Sequence, residues 1–173
     1  LGYALSTSTL SINIIKIFVG GLRPHFLTLC EPIVIAGTLP TFFTAEHICT
    51  GNEKLLREAQ MSFPSGHSSA AFAGFVFLAL FLNGRLKIFG FGRQIGFAQP
   101  HKGDSGIIEH WKLIAFTLPW CIATILAASK VRDGWHHPID VVFGAIVGAA
   151  FAHMAYAMAY RSIWNSQTNH IPW

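Results

Sequence analysis

The sequence predicts an all-α fold, an integral membrane helical bundle, and three observations carry that expectation. Hydrophobic residues make up 52% of the 173 residues and charged residues only 12%, about half the roughly 25% usual in soluble domains. The mean hydropathy is +0.46. Four separate stretches are long and apolar enough to be read as membrane spans. Twelve Lys and Arg with eight Asp and Glu would coat a soluble protein of this size poorly. Disordered chains, disulfide-dense secreted mini-proteins and ordinary soluble enzymes are therefore disfavoured. The formal charge of +4 is scattered, with none of the basic striping of nucleic-acid binders, so no nucleic-acid partner is expected.

The spans follow in order. Gly2–Val19 carries one charge, Lys16, near its end. Gly66–Asn83 carries none. Trp111–Ser129 admits Lys112 only at its entry, and Ile139–Tyr160 opens on Asp140 before a run of Gly and Ala (GAIVGAAFA). Small residues of that kind let helix backbones approach closely in lipid. Pro32–Ala45 is apolar but short, broken by Pro32, Gly37 and Pro40. It reads as a re-entrant or surface segment. One membrane domain over residues 1–160 results, with a cytoplasmic tail over 161–173. The chain opens at Leu1 on an apolar run, without a start Met, a charged n-region or a cleavage site. It is read as the later part of a longer protein.

Loop charge orients the bundle, because cytoplasmic loops collect Lys and Arg. The Gly84–His110 loop holds Arg85, Lys87, Arg93 and Lys102 against Asp104 and Glu109. Gly20–Ser65 holds Arg23, Lys54 and Arg57 against Glu31, Glu46, Glu53 and Glu58. The first loop is expected in the cytoplasm, and the second, together with Lys130–Pro138, on the lumenal or extracellular face. Cys30 and Cys49 fall in that second loop, either bridged, as an oxidising compartment permits, or as two thiols. Cys121 is expected to be a small core residue. No cysteine pair has zinc spacing.

The polar residues gather at helix ends. Lys16 and Arg23-Pro24 lie where the first span ends, and Pro64-Ser65-Gly66-His67 where the second begins. Lys130, Arg132 and Asp133 follow the third; His136, His137 and Asp140 open the fourth. The topology puts all of these on one face. Lys16, Arg23 and Lys130 offer cationic donors, and the planar fork of Arg suits phosphate oxygens. Ser65-Gly66-His67 at a helix start adds backbone N–H groups and the positive end of a helix dipole. His136 and Asp140 are four apart at a helix start marked by Pro138, so the carboxylate can hold one ring nitrogen and leave the other to attack. His67, from another helix, can protonate a leaving alkoxide. A nucleophile, its orienting acid and a proton donor around an anion cradle describe phosphoryl transfer through a phosphohistidine. The cations supply the charge stabilisation, so neither a metal nor another cofactor is expected. Each piece alone has an ordinary alternative: a snorkelling Lys, a helix exit, a helix cap, a pair of interfacial histidines. Joint placement on one face is what favours the chemical reading.

These motifs resemble those of the type 2 phosphatidic acid phosphatases, or lipid phosphate phosphatases. The family signature K-x6-RP reads Lys16-IFVGGL-Arg23-Pro24, PSGH stands intact as Pro64-Ser65-Gly66-His67, and SR-x5-H-x3-D reads Ser129-Lys130-VRDGW-His136-HPI-Asp140. The stretches Gly21–Phe26 and Ser62–Ser69 look most like the eukaryotic, especially fungal, membrane branch. The resemblance covers about residues 1–160. It implies a six-helix core of which this chain holds the last four, with the active site on the lumenal or external face. It also implies catalytic roles for His136, Asp140 and His67, and phosphate binding by Lys16, Arg23, Ser65, Gly66 and Lys130. The implied reaction is magnesium-independent hydrolysis of lipid phosphomonoesters and related pyrophosphates, typified by phosphatidate to diacylglycerol. The substrate would be a phospholipid within the bilayer.

One position departs from the pattern. Lys130 stands where the family carries Arg, keeping the charge and losing the bidentate fork. Arg132 lies two residues on but has no such role in the motif. This departure supports the competing reading, a non-catalytic membrane protein that binds or moves phospholipid with a degraded pocket. Vanadium haloperoxidases share the signatures but are largely soluble. Phosphotransfer to an acceptor other than water is compatible with the same motifs. The sequence does not specify an oligomeric state.

Overall fold

The computed structural model describes residues 1–32, 49–88, 110–162, 165 and 168–173. Among these lie six helices: α1 (Gly2–Val19), α2 (Phe26–Cys30), α3 (Glu53–Ala59), α4 (Gly66–Leu86), α5 (His110–Arg132) and α6 (Pro138–Ala159). Most of the Pro32–Ala45 segment and of the Gly84–His110 loop lies outside the described residues. The expected all-α membrane bundle is what is found. Three helices, α4, α5 and α6, are candidate membrane spans by length and composition. Gly2–Val19 forms a helix with the expected bounds, its apolar run interspersed with Ser6, Thr7, Ser8, Thr9, Ser11, Asn13 and Lys16.

Local chemistry sets where the helices start. Asn52 caps α3 by accepting the N–H groups of Lys54 and Leu55, and Ser65 caps α4 by accepting that of Ser68 at 3.3 Å. These side chains satisfy donors that the first turn leaves without helical partners. Pro138 opens α6, where its missing N–H costs nothing. The five residues between α5 and α6 make a tight joint around Gly134, at φ +71°, a backbone region open to Gly and strained for other residues.

α4 lies at the centre, packed along α6 and α5, while α1 rests against both α4 and α6. α4 and α6 run away from the end where Lys16 and Lys130 sit, and α1 and α5 run toward it. The α4–α6 seam is the tightest. A Cβ on Gly144 would strike the Ser65 carbonyl oxygen, and one on Gly148 that of Ser69. Across the α1–α4 contact the buried hydroxyls of Ser8 and Ser69 pair at 2.5 Å, so neither is left without a partner in the apolar interior. Further along, Val76, Leu80, Ala152 and Tyr156 form an apolar cluster. There the described part of residues 161–173 folds back: Tyr156 donates to the Asn169 carbonyl at 2.8 Å, and the Trp173 indole N–H to that of Ala157 at 3.1 Å. Cys121 is exposed on α5, so the core position expected for it is wrong. Cys30 and Cys49 form a disulfide beside Phe26, Leu56 and Ala59. It fastens α2 to the segment leading into α3.

Candidate active site

The four helix ends named from the sequence meet. The His67 and His136 rings, from the start of α4 and the α5–α6 joint, have centroids 6.3 Å apart. A Cβ built on Gly66 would lie 3.8 Å from Lys16 Nζ, which brings the end of α1 to the start of α4. The Ser65 N–H donates to the Asp140 carbonyl at 3.0 Å, and Ser68 Oγ donates to that of Val141 at 2.7 Å. The first turns of α4 and α6 are thus stitched through their backbones.

His136 is buried, only 1% exposed. Its main-chain N–H donates to the Lys130 carbonyl at 3.2 Å, so the joint fixes its backbone. Neither ring nitrogen closes a hydrogen bond. Burial, then the positive charges of Arg23 and Lys16, lower its pKa from 6.5 to about 4; the nearby Ser62 carbonyl and Asp140 oppose this only in part. Near neutral pH the imidazole is uncharged and holds a free lone pair.

Asp140 also lies buried, but its geometry differs from the simple pair read from the sequence. Its Oδ2 sits 3.8 Å from His136 Nδ1, beyond hydrogen-bond length. That oxygen accepts instead from Ser62 Oγ at 2.5 Å and from the His137 N–H at 3.0 Å. As the third residue of α6, Asp140 caps the helix, and the cap competes with the imidazole for the same oxygen.

The cations stand on different sides. The Arg23 guanidinium lies over the Trp135 ring, 4.9 Å from its centroid, a favourable cation–π placement. Its Nε is buried without a partner, and desolvation lowers its pKa although Glu58 opposes this. Lys130 Nζ pairs with Asp133 Oδ2 at 3.5 Å, and both side chains are partly exposed. Lys130, Lys16 and Arg23 all act electrostatically on His67. Arg132 is exposed. Ser65 is fully buried, with its hydroxyl engaged in the helix cap. Among the described residues no three His, Cys, Asp or Glu side chains are grouped as metal ligands would be.

Three residues at the site, Ser62, Trp135 and His25, were not singled out from sequence, whereas His137 was named with the start of the fourth span. Ser62 holds Asp140. Trp135 underlies Arg23, His25 meets Trp135 edge-on at 5.3 Å, and His25 Nδ1 donates to the Gly134 carbonyl at 2.7 Å. His137 Nε2 lies 3.1 Å from the Leu22 carbonyl. Each adjoins a motif, and that adjacency was the available signal. Spacing alone does not say which neighbours turn inward.

Residues 1–164 match the PAP2 superfamily. The chain is 34% identical over 158 residues to a probable lipid phosphate phosphatase 4 of Arabidopsis thaliana, covering 90% of this chain and 45% of that protein. It is 32% identical over 164 residues to diacylglycerol pyrophosphate phosphatase 1 of Saccharomyces cerevisiae, covering 94% and 51%. Against phospholipid phosphatase 1 of Mus musculus it is 34% identical over 150 residues, covering 87% and 47%. The chain therefore spans about half the length of these curated relatives. No solved structure matches it. With nearly its whole length matched and the three motifs gathered around two facing histidines, the chain belongs to the PAP2 superfamily.

Proposed function

We propose that this chain carries the phosphoryl-transfer centre of a membrane lipid phosphate phosphatase that hydrolyses phosphatidate-like monoesters. The observation that carries the reading is the approach of His67 and His136, 6.3 Å between rings, with Lys16 and Arg23 near enough to lower the His136 pKa. The names of the relatives, lipid phosphate and diacylglycerol pyrophosphate phosphatases, support a lipid phosphate as substrate.

The neutral His136 attacks phosphorus, and the P–N bond forms as the P–O bond to the lipid breaks. His67, protonated, gives its proton to the departing alkoxide, releasing diacylglycerol. His67 then takes a proton from water, whose oxygen attacks the phosphohistidine, breaking the P–N bond and freeing inorganic phosphate. Asp140 steadies the imidazole that becomes positively charged. Lys16, Arg23 and Lys130, with the N–H groups around Ser65 and Gly66, hold the equatorial oxygens, where charge builds in the transition state. That cationic cradle takes the part a magnesium ion plays elsewhere. The Cys30–Cys49 disulfide lies on the site's side of the bundle, which supports a lumenal or extracellular active face.

The test is phosphate release from a panel of lipid phosphates by the full-length protein in EDTA, with vanadate as inhibitor. Expected are metal-independent, vanadate-sensitive turnover, labelled phosphate trapped on His136, and loss of both in His136→Ala. A requirement for magnesium, or undiminished turnover in His136→Ala, would overturn the mechanism.

A further inference from the structure

We propose that Ser62 is a positioning residue for the transfer step, its buried hydroxyl holding the Asp140 carboxylate at the angle from which it orients His136. This inference rests on the assignment of His136 as nucleophile and Asp140 as its partner.

The geometry is specific. Ser62 is 1% exposed, and its hydroxyl donates to Asp140 Oδ2 at 2.5 Å from a position 78 residues away in sequence. A short bond from a hydroxyl to a carboxylate, shielded from water, is among the stronger hydrogen bonds a protein makes. The other donor to that oxygen, the His137 N–H, belongs to the start of the same helix. A carboxylate held only by its own cap can still turn about its side-chain torsions. A donor from a separate segment fixes the second direction.

Ser62 is itself anchored. Its N–H donates to the Gly21 carbonyl at 3.0 Å, and the next N–H, of Phe63, donates to that of Gly20 at 2.9 Å. Both acceptors lie between Lys16 and Arg23. Ser62 is therefore fixed by the segment that carries two of the phosphate-binding cations.

The experiment is a double-mutant cycle in the full-length protein with phosphatidate, turnover being counted per trapped phosphohistidine so that misfolded protein does not enter. Ser62→Ala is expected to lower kcat on the order of 10-fold with KM within about twofold, and Ser62→Thr, which keeps the hydroxyl, to restore most of it. In an Asp140→Ala background the same Ser62→Ala change should alter kcat by less than about twofold, because the two residues act as one unit. Wild-type kcat in Ser62→Ala, or an undiminished loss in the Asp140→Ala background, would overturn the proposal. Retained turnover in His136→Ala would instead remove the reading it rests on.

Discussion

Helices α5 and α6 are nearly equal in length, 23 and 22 residues, and both are apolar enough to cross a bilayer. They are used differently. Along its most apolar stretch α6 buries more of its residues than α5 does. α5 contributes Pro119, Ala123 and Ala127 to the interior and turns Ile114, Ile125 and Leu126 outward. In α6 the residues Gly144, Gly148 and Ala152 share a face, four apart, and bring its backbone against α4. Apolarity alone assigns a helix to lipid; small residues at regular spacing decide which helix becomes the wall of the site. The first turn of α6 supplies Asp140, whereas α5 reaches the site through the long, partly exposed side chain of Lys130.

The sharpest way to break this contrast is to add bulk to each helix. In Gly148→Leu the new Cβ overlaps the Ser69 carbonyl and sits 3.0 Å from the Ala73 nitrogen. Both are backbone atoms, so α4 and α6 must separate. Overpacking costs about 1–3 kcal/mol where side chains can yield, and here they cannot, so loss of folded protein and of activity is expected. Ala128→Leu, on the exposed side of α5, should stay within about 0.5 kcal/mol of the parent. Thermal denaturation in detergent measures both, and equal losses would abolish the distinction.

Gly66 sharpens it from the other side. A Cβ there meets Ile12 at 3.7 Å and Lys16 Nζ at 3.8 Å, ordinary contact distances. Gly66→Ala should leave the melting temperature unchanged or slightly raised, since Ala favours the helix. Its methyl nevertheless faces Lys16, the cation proposed to hold phosphate. Vanadate affinity is expected to fall about 10-fold, or ~1.4 kcal/mol. Unchanged vanadate inhibition would mean that the anion does not sit against this turn.

Acid stability separates the α5–α6 joint from the rest. The His136 pKa is about 4 in the folded protein against 6.5 ordinarily, so between these values the unfolded chain binds the extra proton. Stability contributed by the neutral ring is full above pH 6.5 and declines as pH falls toward 4. His136→Asn, which does not titrate, should lose less stability between pH 6.5 and 4.5 than the parent, measured as the shift in denaturation midpoint. An identical acid loss in both would place the titration elsewhere.

The sequence made the motifs and helix ends legible because they rest on local rules. Ser65 as a cap, Pro138 at a helix start and Asp140 in a first turn are readable from spacing, and so was the face they share. The Gly2–Val19 helix was legible with its bounds, but the pairing of Ser8 on its hydroxyl-rich face with Ser69 was not. The bond from Ser62 to Asp140 Oδ2 and the Arg23–Trp135 stack were not legible. Both join segments far apart in the chain, and no periodicity encodes which of two neighbours a carboxylate selects. Cys121 failed for a related reason: in a bilayer an apolar helix position does not distinguish the interior from the lipid side.

Among the described residues, Lys130 is the side chain through which α5 is proposed to enter the site, and it carries the smallest expected effect. Its ammonium pairs with Asp133 at 3.5 Å, at 29% and 47% side-chain exposure. Such a pair contributes about 0–1 kcal/mol, so Lys130→Arg should move the melting temperature little. The catalytic effect has a definite sign. A guanidinium offers two parallel donors to phosphate oxygens where an ammonium offers a single point charge, and the surrounding motif is otherwise intact. Turnover should rise about 2–5-fold, a gain of under ~1 kcal/mol in transition-state binding. Asp133→Asn supplies the control: freeing Lys130 from its partner should move turnover in the same direction, because the ammonium then turns to the substrate. If Lys130→Arg leaves kcat/KM unchanged while Lys130→Ala also leaves it unchanged, α5 contributes no charge to the reaction. The site would then belong to α1, α4, α6 and the joint that precedes α6.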